Sequence, residues 1–169
     1  NVDFTGCTSL WSMWSDNWLA ATIVDISPLS ALEDWYCYNW PEIVEIILPY
    51  PSTSLGYVYL DTFNSLTTLT NLADQSSLVV LDLDTVAITS LSISALSALE
   101  GIGIYNSPTS NVTLSSNAAL VGVAFYDMPN MTALDVSSNT LFENLYIKNT
   151  PIASVNLSGL TALVNIDIE

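Results

Sequence analysis

Apolar residues recur along this chain with two superposed periods. The short period is two. LVVLDLD (Leu78 to Asp84), LEGIGIY (Leu99 to Tyr105), LVGVAFY (Leu120 to Tyr126), FENLYIK (Phe142 to Lys148) and LVNIDIE (Leu163 to Glu169) alternate apolar positions with others, as a strand with one buried face does. The long period is about one coil of backbone. Leu81, Ile102, Val123, Leu145 and Ile166 stand 21, 21, 22 and 21 residues apart. Strands repeating at a fixed interval predict a solenoid, because no single repeat buries its apolar face alone and stacked neighbours do.

A second set of apolar phrases lies between the strands: Ile88 to Ser94, Asn111 to Ser116, Met131 to Ser138 and Ile152 to Gly159. Within them Ile93, Leu114, Val136 and Leu157 keep spacings of 21, 22 and 21. Their alternation predicts a back side of short extended or 3-10 segments. Asn106-Ser-Pro108, Asp127-Met-Pro129, Asn149-Thr-Pro151 and the Ser-Ser-Asn triplets at 115–117 and 137–139 read as the turns between. The strand phrase L-x-x-L-x-L at this period is the leucine-rich-repeat signature. The expected fold is therefore a leucine-rich-repeat solenoid with one parallel sheet on its strand face. Upstream, Leu55 to Leu60 reads as an earlier strand, and Ile43 to Leu48, bounded by Pro41 and Pro49, as the first. Phe63, Leu66, Leu69 and Leu72 recur at threes, which suits a 3-10 segment on the back. Residues 43–169 thus hold about six repeats.

Residues 1–42 differ. They carry all five tryptophans (Trp11, Trp14, Trp18, Trp35, Trp40) and both cysteines, Cys7 and Cys37. Trp11, Trp14, Trp18 and Leu19 have helical spacing over Thr8 to Ala21, and Ser27-Pro28 suits the start of a second short helix to Trp35. This segment reads as a small α or irregular N-terminal cap over the open end of the core. The two cysteines are expected to form a disulfide within it, which implies secretion; two buried free thiols are the alternative.

Charge narrows the partners. The 169 residues include 17 acidic side chains against Lys148 alone, with no arginine or histidine, for a net charge of −16. Nucleic acid is excluded as a partner, since phosphate binding needs Lys and Arg. Cations, basic proteins or neutral glycans remain. Half the residues are apolar, enough for a real core, yet no unbroken apolar run is long enough to span a membrane. Without histidine there is no Ser-His-Asp or Cys-His set, and no cofactor is implied. The chain opens at Asn1 without a signal-like segment and reads as a processed, mature piece.

In each strand the residues between the aliphatics face outward. Stacking puts Ile47, Tyr59, Asp82, Gly103, Ala124, Tyr146 and Asp167 in one column and Asp61, Asp84, Tyr105, Tyr126, Lys148 and Glu169 in the next, about 4.8 Å apart. Tyr57, Tyr59, Tyr105, Tyr126, Tyr146, Asp82 and Asp84 are the candidate ligand-binding residues, because rings beside carboxylates suit a sugar or a protein hot spot. Cross-strand tyrosine pairs that only stabilise the sheet are the other reading. Asp61, Asp82 and Asp84 are a weak calcium candidate; as a glycosidase acid pair they lack a pocket. Lys148 is placed to meet the Tyr126 ring or pair with Glu169. Sequons at Asn111, Asn130 and Asn156 are candidate glycosylation sites, all on the turn and back side.

The stretch TALDVSSNTLFENLYIKNTPIASVNLSGLTAL (Thr132 to Leu163) resembles the repeats of bacterial surface adhesins of the internalin and BspA-like kind, and the likeness covers about residues 78–169. In some of those proteins a ladder cysteine stands where this chain has Ile104, Phe125 and Ile147. NWLAAT…LEDWYCYNWPEIVEIILP resembles the Trp- and Cys-bearing cap of secreted plant-type and cyst-wall leucine-rich repeats. The resemblance implies an extracellular, non-enzymatic binding or adhesion module that meets a protein or glycan through its strand face. A structural element of a cell wall, coat or filament is the alternative. The final repeat has no cap, so further repeats, a truncated chain or end-to-end docking on another copy are the open readings of its end.

Overall fold

The computed structural model describes residues 3–17, 21–51 and 54–169. Strands alternate between a front and a back. In chain order they are β1 (Ser12–Asp16), β2 (Ile23–Asp25), β3 (Asp34–Tyr38), β4 (Glu45–Ile47), β5 (Tyr57–Phe63), β6 (Thr68–Thr70), β7 (Val80–Val86), β8 (Ser90–Leu91), β9 (Gly101–Tyr105), β10 (Asn111–Val112), β11 (Gly122–Tyr126), β12 (Leu134–Asp135), β13 (Asn144–Lys148), β14 (Val155–Asn156) and β15 (Asn165–Ile168). A single 3-10 turn, Leu72–Asp74, is the one helical element among the described residues. The odd-numbered strands form one eight-stranded sheet in chain order, with every neighbouring pair parallel. The back is broken into three small parallel sheets, β2-β4-β6, β8-β10 and β12-β14. The expected leucine-rich-repeat solenoid is therefore the fold.

Register puts like residues on like. Ile102 sits between Leu81 and Val123, which is in turn paired with Leu145. Two inward columns fill the core: Trp35, Val58, Leu81, Ile102, Val123 and Leu145, and beside them Cys37, Leu60, Leu83, Ile104, Phe125 and Ile147, all buried. At the two ends the cover differs. Phe4, Leu10 and Met13 pack against the core next to β1, whereas Ile166 and Ile168 of β15 are 53% and 56% exposed.

The N-terminal expectations need correction. Among the described residues no helix forms over Thr8 to Ala21 or Pro28 to Trp35. Ser12–Asp16 and Asp34–Tyr38 instead join the front sheet, and Ile23–Asp25 pairs on the back with Glu45–Ile47. Residues 18–20, with Trp18 and Leu19, lie outside the described residues. The strand period in fact runs on upstream, from Leu81 to Val58, Trp35 and Met13 at intervals of 23, 23 and 22. A lone helix at this place would satisfy only its own hydrogen bonds, whereas β1 pairs all five residues with β3 and lays Met13 against the Trp35 column. Ile43 to Leu48 is correspondingly a back segment, not a front strand. Trp35 and Trp40 are buried, but Trp11 and Trp14 are 61% and 69% exposed, so the tryptophans do not form one shared cap core. The cysteines are not bridged either. Cys7 is exposed and Cys37 buried; the Cys37 thiol points inward from β3, 3.0 Å from Ser15 Oγ, and burial pushes it up to about 12.

The Ser-Ser-Asn triplets are more than turns. Asn117 and Asn139 are fully buried. Asn117 Nδ2 donates to the Ile93 and Leu96 carbonyls, each at 2.9 Å, and Asn139 Nδ2 to those of Leu114 and Asn117 at 2.9 and 2.8 Å. Gln75 stands at the equivalent position two coils before Asn117, donating to the Pro49 carbonyl of the preceding coil and the Asn71 carbonyl of its own. Each of these amides pins its coil to backbone that the turn alone would leave with a spare acceptor.

Each front strand but β15 carries one left-handed residue at or near its end. The column is Asn17, Asn39, Thr62, Thr85, Asn106, Asp127 and Asn149, with φ between 49 and 63°. Asn and Asp tolerate this region; a β-branched threonine is strained there. Asn39 and Asn106 also donate to the preceding coil's carboxylates, Asp16 and Asp84. Thr85→Asn is expected to relieve strain on the order of 1 kcal/mol, with the new amide reaching Asp61 as Asn106 reaches Asp84. Thermal melts should show Tm higher by roughly 2–4 °C; an unchanged or lower Tm would mean the threonine conformation carries no strain.

Candidate functional site

The outward residues of the front sheet form three columns. The first runs Ser12, Asp34, Tyr57, Val80, Gly101, Gly122, Asn144, Asn165. The second runs Trp14, Tyr36, Tyr59, Asp82, Gly103, Ala124, Tyr146, Asp167. The third runs Asp16, Tyr38, Asp61, Asp84, Tyr105, Tyr126, Lys148. Ile47 does not belong to the second column, because β4 lies on the back. Tyr36 holds the place beside Tyr59 that the sequence reading gave to Ile47.

This change exposes a patch that the sequence reading missed. The Trp14 and Tyr36 rings are 4.7 Å apart, Tyr36 and Tyr57 stack at 5.0 Å and 27°, and Tyr38 meets Tyr59 at 5.4 Å. Trp14 also lies 6.4 Å from Tyr38. Five rings thus pave the front of β1, β3 and β5. The signal was present in the alternation of DWYCY (Asp34 to Tyr38), where Trp35 and Cys37 point in and Tyr36 and Tyr38 point out. Helical spacing of the neighbouring tryptophans masked it.

Beyond the rings the surface sinks. Gly101, Gly103, Gly122 and Ala124 make a block of small residues on β9 and β11. The resulting trough of about 220 Å³ is walled by Val80 and Asp82 on one side and by Asn144 and Tyr146 on the other, with Tyr105 at its head. Gly103 is essential to that shape. A Cβ built on it would fall 2.3 Å from Asp82 Oδ1 and 2.5 Å from the Tyr105 hydroxyl, so both side chains fold over its Cα. Tyr105 meets Tyr126 edge-on at 5.3 Å and 70°.

Asp82 is the most constrained carboxylate of the face. Its Oδ2 accepts from Tyr57 Oη at 3.1 Å, and the Gly103 N–H also donates to it. Burial nevertheless holds its carboxyl above the usual carboxylate range, the two hydrogen bonds opposing this only in part. Asp61 and Asp84 are engaged by neighbours: Thr62 Oγ1 donates to Asp61 Oδ1 at 2.8 Å, and Thr85 and Asn106 both donate to Asp84 Oδ1 at 2.9 Å. The three carboxylates do not converge as the calcium reading required, and among the described residues no group of three His, Cys, Asp or Glu could hold a metal ion. Lys148 Nζ meets Glu169 Oε2 at 2.6 Å, the ion pair that was one of its two expected contacts. The sequon residues Asn111, Asn130 and Asn156 are exposed, with Asn111 and Asn156 on back strands β10 and β14.

Burial and nearby carboxylates make three tyrosines of the face, Tyr57, Tyr59 and Tyr105, harder to ionise. Burial, then Asp82, pushes Tyr105 up to about 12, and the same two causes raise Tyr57; burial, then Asp61, raises Tyr59. Their folded-state values lie above the unfolded value near 10, so the native state holds these protons more tightly. That contribution is complete below about pH 10 and is lost as pH climbs from about 10 through about 12. Ultraviolet titration should resolve a late-ionising class among the eight tyrosines, with Tm falling over the same interval. One midpoint near 10 for all eight would refute the packing described.

Neither the family models nor the curated proteins give a match to this chain. Solved structures do. The chain is similar to internalin C2 of Listeria monocytogenes strain 4b F2365, at 21% identity and a TM-score of 0.57, over 86% of this chain and 76% of that one. It is also similar to the functional domain of InlJ from Listeria monocytogenes, which includes a cysteine ladder, at 17% identity and a TM-score of 0.48 over 84% of this chain. It spans 45% of that InlJ chain. The likeness to internalin C2 shows that the internalin-type leucine-rich-repeat fold extends over most of the chain, upstream of the residues whose repeats resemble it. Among the described residues no helix is long and apolar enough to cross a membrane.

Proposed function

We propose that this chain is a non-enzymatic, extracellular binding module that recognises a protein partner through the front of its solenoid. One observation carries the reading: Trp14, Tyr36, Tyr38, Tyr57 and Tyr59 lie side by side on one sheet. Trp14, the most exposed of them, is a large ring held outside the core. Rings ordered by their neighbours lose little freedom on binding, and Trp and Tyr are the residues enriched at binding hot spots. The sheet beneath them is hydrogen-bonded along both sides of each inner strand, so the platform is rigid before any partner arrives. Carboxylates at Asp16, Asp34 and Asp61 flank the rings, which favours a partner with basic groups.

The test compares two double variants on an array of extracellular protein domains. Tyr36→Ala with Tyr59→Ala should weaken binding of the module's array partner by tenfold or more. Ser92→Ala with Thr113→Ala, on the back, should leave it unchanged. Equal loss from both pairs, or none from the first, would remove the front face as the binding surface. Binding confined to a parallel glycan array would replace the protein partner with a sugar.

A further inference from the structure

The trough beside the ring platform is chemically distinct from it. Its floor is glycine and alanine backbone in mid-sheet, with no side chain larger than a methyl group, so the floor is low and presents little polar side-chain chemistry. Its walls, on β7 and β13, are three strand spacings apart, about 14 Å. At one corner stands Asp82, half-buried, with only Tyr57 and the Gly103 N–H as donors. An ionised carboxylate offers about four acceptor positions, so this one has capacity to spare. Among the described residues no cation fills it: the single lysine is held by Glu169, and there is no arginine. Glu100 and Glu143, both exposed, immediately precede β9 and β13 in the chain.

Building on the front-face reading above, we propose that this trough anchors one arginine side chain of a basic protein partner. The methylenes lie along the Gly101 and Gly122 floor, and the guanidinium meets the free edge of Asp82 beside the Tyr105 ring. Arginine fits better than lysine here. Its planar fork pairs with a carboxylate through two parallel bonds and lies against an aromatic ring, and it sheds water more readily than an ammonium does. The raised carboxyl of Asp82 agrees with this geometry, since a buried acid without a cation is the one that gains most when a cation arrives. A sugar ring fits less well, because it stacks on ring faces and the floor here has none. The chain's net charge of −16 draws basic segments toward the surface from a distance.

The experiment titrates the chain, labelled for amide NMR at low salt, with three capped peptides of alternating glycine and arginine, lysine or citrulline. Citrulline keeps the shape of arginine and lacks its charge. The arginine peptide should shift the Gly101, Gly103 and Gly122 amides, bind at least tenfold more tightly than the citrulline peptide, and bind more tightly than the lysine peptide. Gly101→Leu and Asp82→Asn should each weaken it tenfold or more. Both variants are expected to fold: a Cβ at Gly101 meets only the Val80 methyls at an ordinary 3.8–4.0 Å, and Asp82→Asn keeps the side-chain shape. Equal binding of arginine and citrulline peptides, shifts confined to other residues, or indifference to both substitutions would overturn the anchor. A neutral oligosaccharide that moves the same amides while the arginine peptide does not would reassign the trough to sugars. If the arginine peptide fails while the Tyr36→Ala and Tyr59→Ala pair still abolishes partner binding, the anchor alone is wrong. If the tyrosine pair is also silent, the front-face reading falls with it.

Discussion

Phe125→Ala is expected to lower stability by about 3–5 kcal/mol, the range for emptying a large buried aromatic site. Phe125 is fully buried in the second inward column, between Ile104 and Ile147. Its ring spans the space between the front sheet and the back, and hydrogen-bonded strands on both sides prevent β11 from collapsing inward to close the gap. For a domain of this size the change in Tm is roughly 6–20 °C downward. Phe125→Leu is the informative partner. Leu60 and Leu83 already occupy this column in earlier coils, so leucine suits the site and the cost should stay below about 1.5 kcal/mol. Denaturant melts of both variants would check the pair; similar losses would mean that the coil adjusts its width to the side chain it holds. Because a solenoid's stability is carried by neighbouring coils, hydrogen exchange should show the loss concentrated in β9, β11 and β13.

Asn139→Ala comes second, at about 2–4 kcal/mol. The amide bonds the Leu114 carbonyl at 2.9 Å and the Asn117 carbonyl at 2.8 Å, in a site with no access to solvent. Each lost bond is worth about 1 kcal/mol net, and the vacated volume adds a cavity term. The carbonyls keep their turn bonds from the Asn117 and Leu120 N–H groups, which limits the damage. Asn139→Leu should cost clearly less than the alanine change. Leu96 and Leu160 hold the equivalent positions in other coils, leucine fills the space, and the substitution also removes a buried Oδ1 that has no partner. Asn139→Asp should be the worst of the three, since it turns an acceptor toward two carbonyls. A ranking with leucine below alanine would show that the hydrogen bonds, not the volume, hold the coils in register.

The repeats from residue 78 onward were legible because their inward residues are Leu, Ile, Val and Phe at a nearly constant interval. The same interval continues upstream through Val58, Trp35 and Met13, but there the inward residues are unusual. Tryptophans at helical spacing then offered a competing local pattern. Local pattern lost to stacking: a strand on β3 gains the ladder along one side and lays Met13 against the core, whereas an isolated helix has no core face to meet. The buried asparagines were hidden for a similar reason. Ser-Ser-Asn reads as turn chemistry in isolation, and only the neighbouring coil's carbonyls make its amide an interior group. The disulfide expectation rested on two cysteines sharing a segment, whereas the fold sends one inward from a strand and leaves the other on an exposed turn.

By itself, the sequence determined the solenoid, the parallel front sheet and which side of each later strand faces out. Alternation with period two decides the face, and a constant coil length decides the stacking. Candidates Tyr57, Tyr59, Tyr105, Tyr126, Tyr146, Asp82 and Asp84 all lie on that front. Only the tertiary structure decided what they add up to. It put Trp14, Tyr36 and Tyr38 beside Tyr57 and Tyr59, drew Tyr105 and Asp82 over Gly103, and kept Asp61 and Asp84 from converging with Asp82. The physical reason is that contacts within a column depend on register between strands more than twenty residues apart. Whether a side chain stands up, lies over a neighbour or finds a donor depends on the residue one coil away.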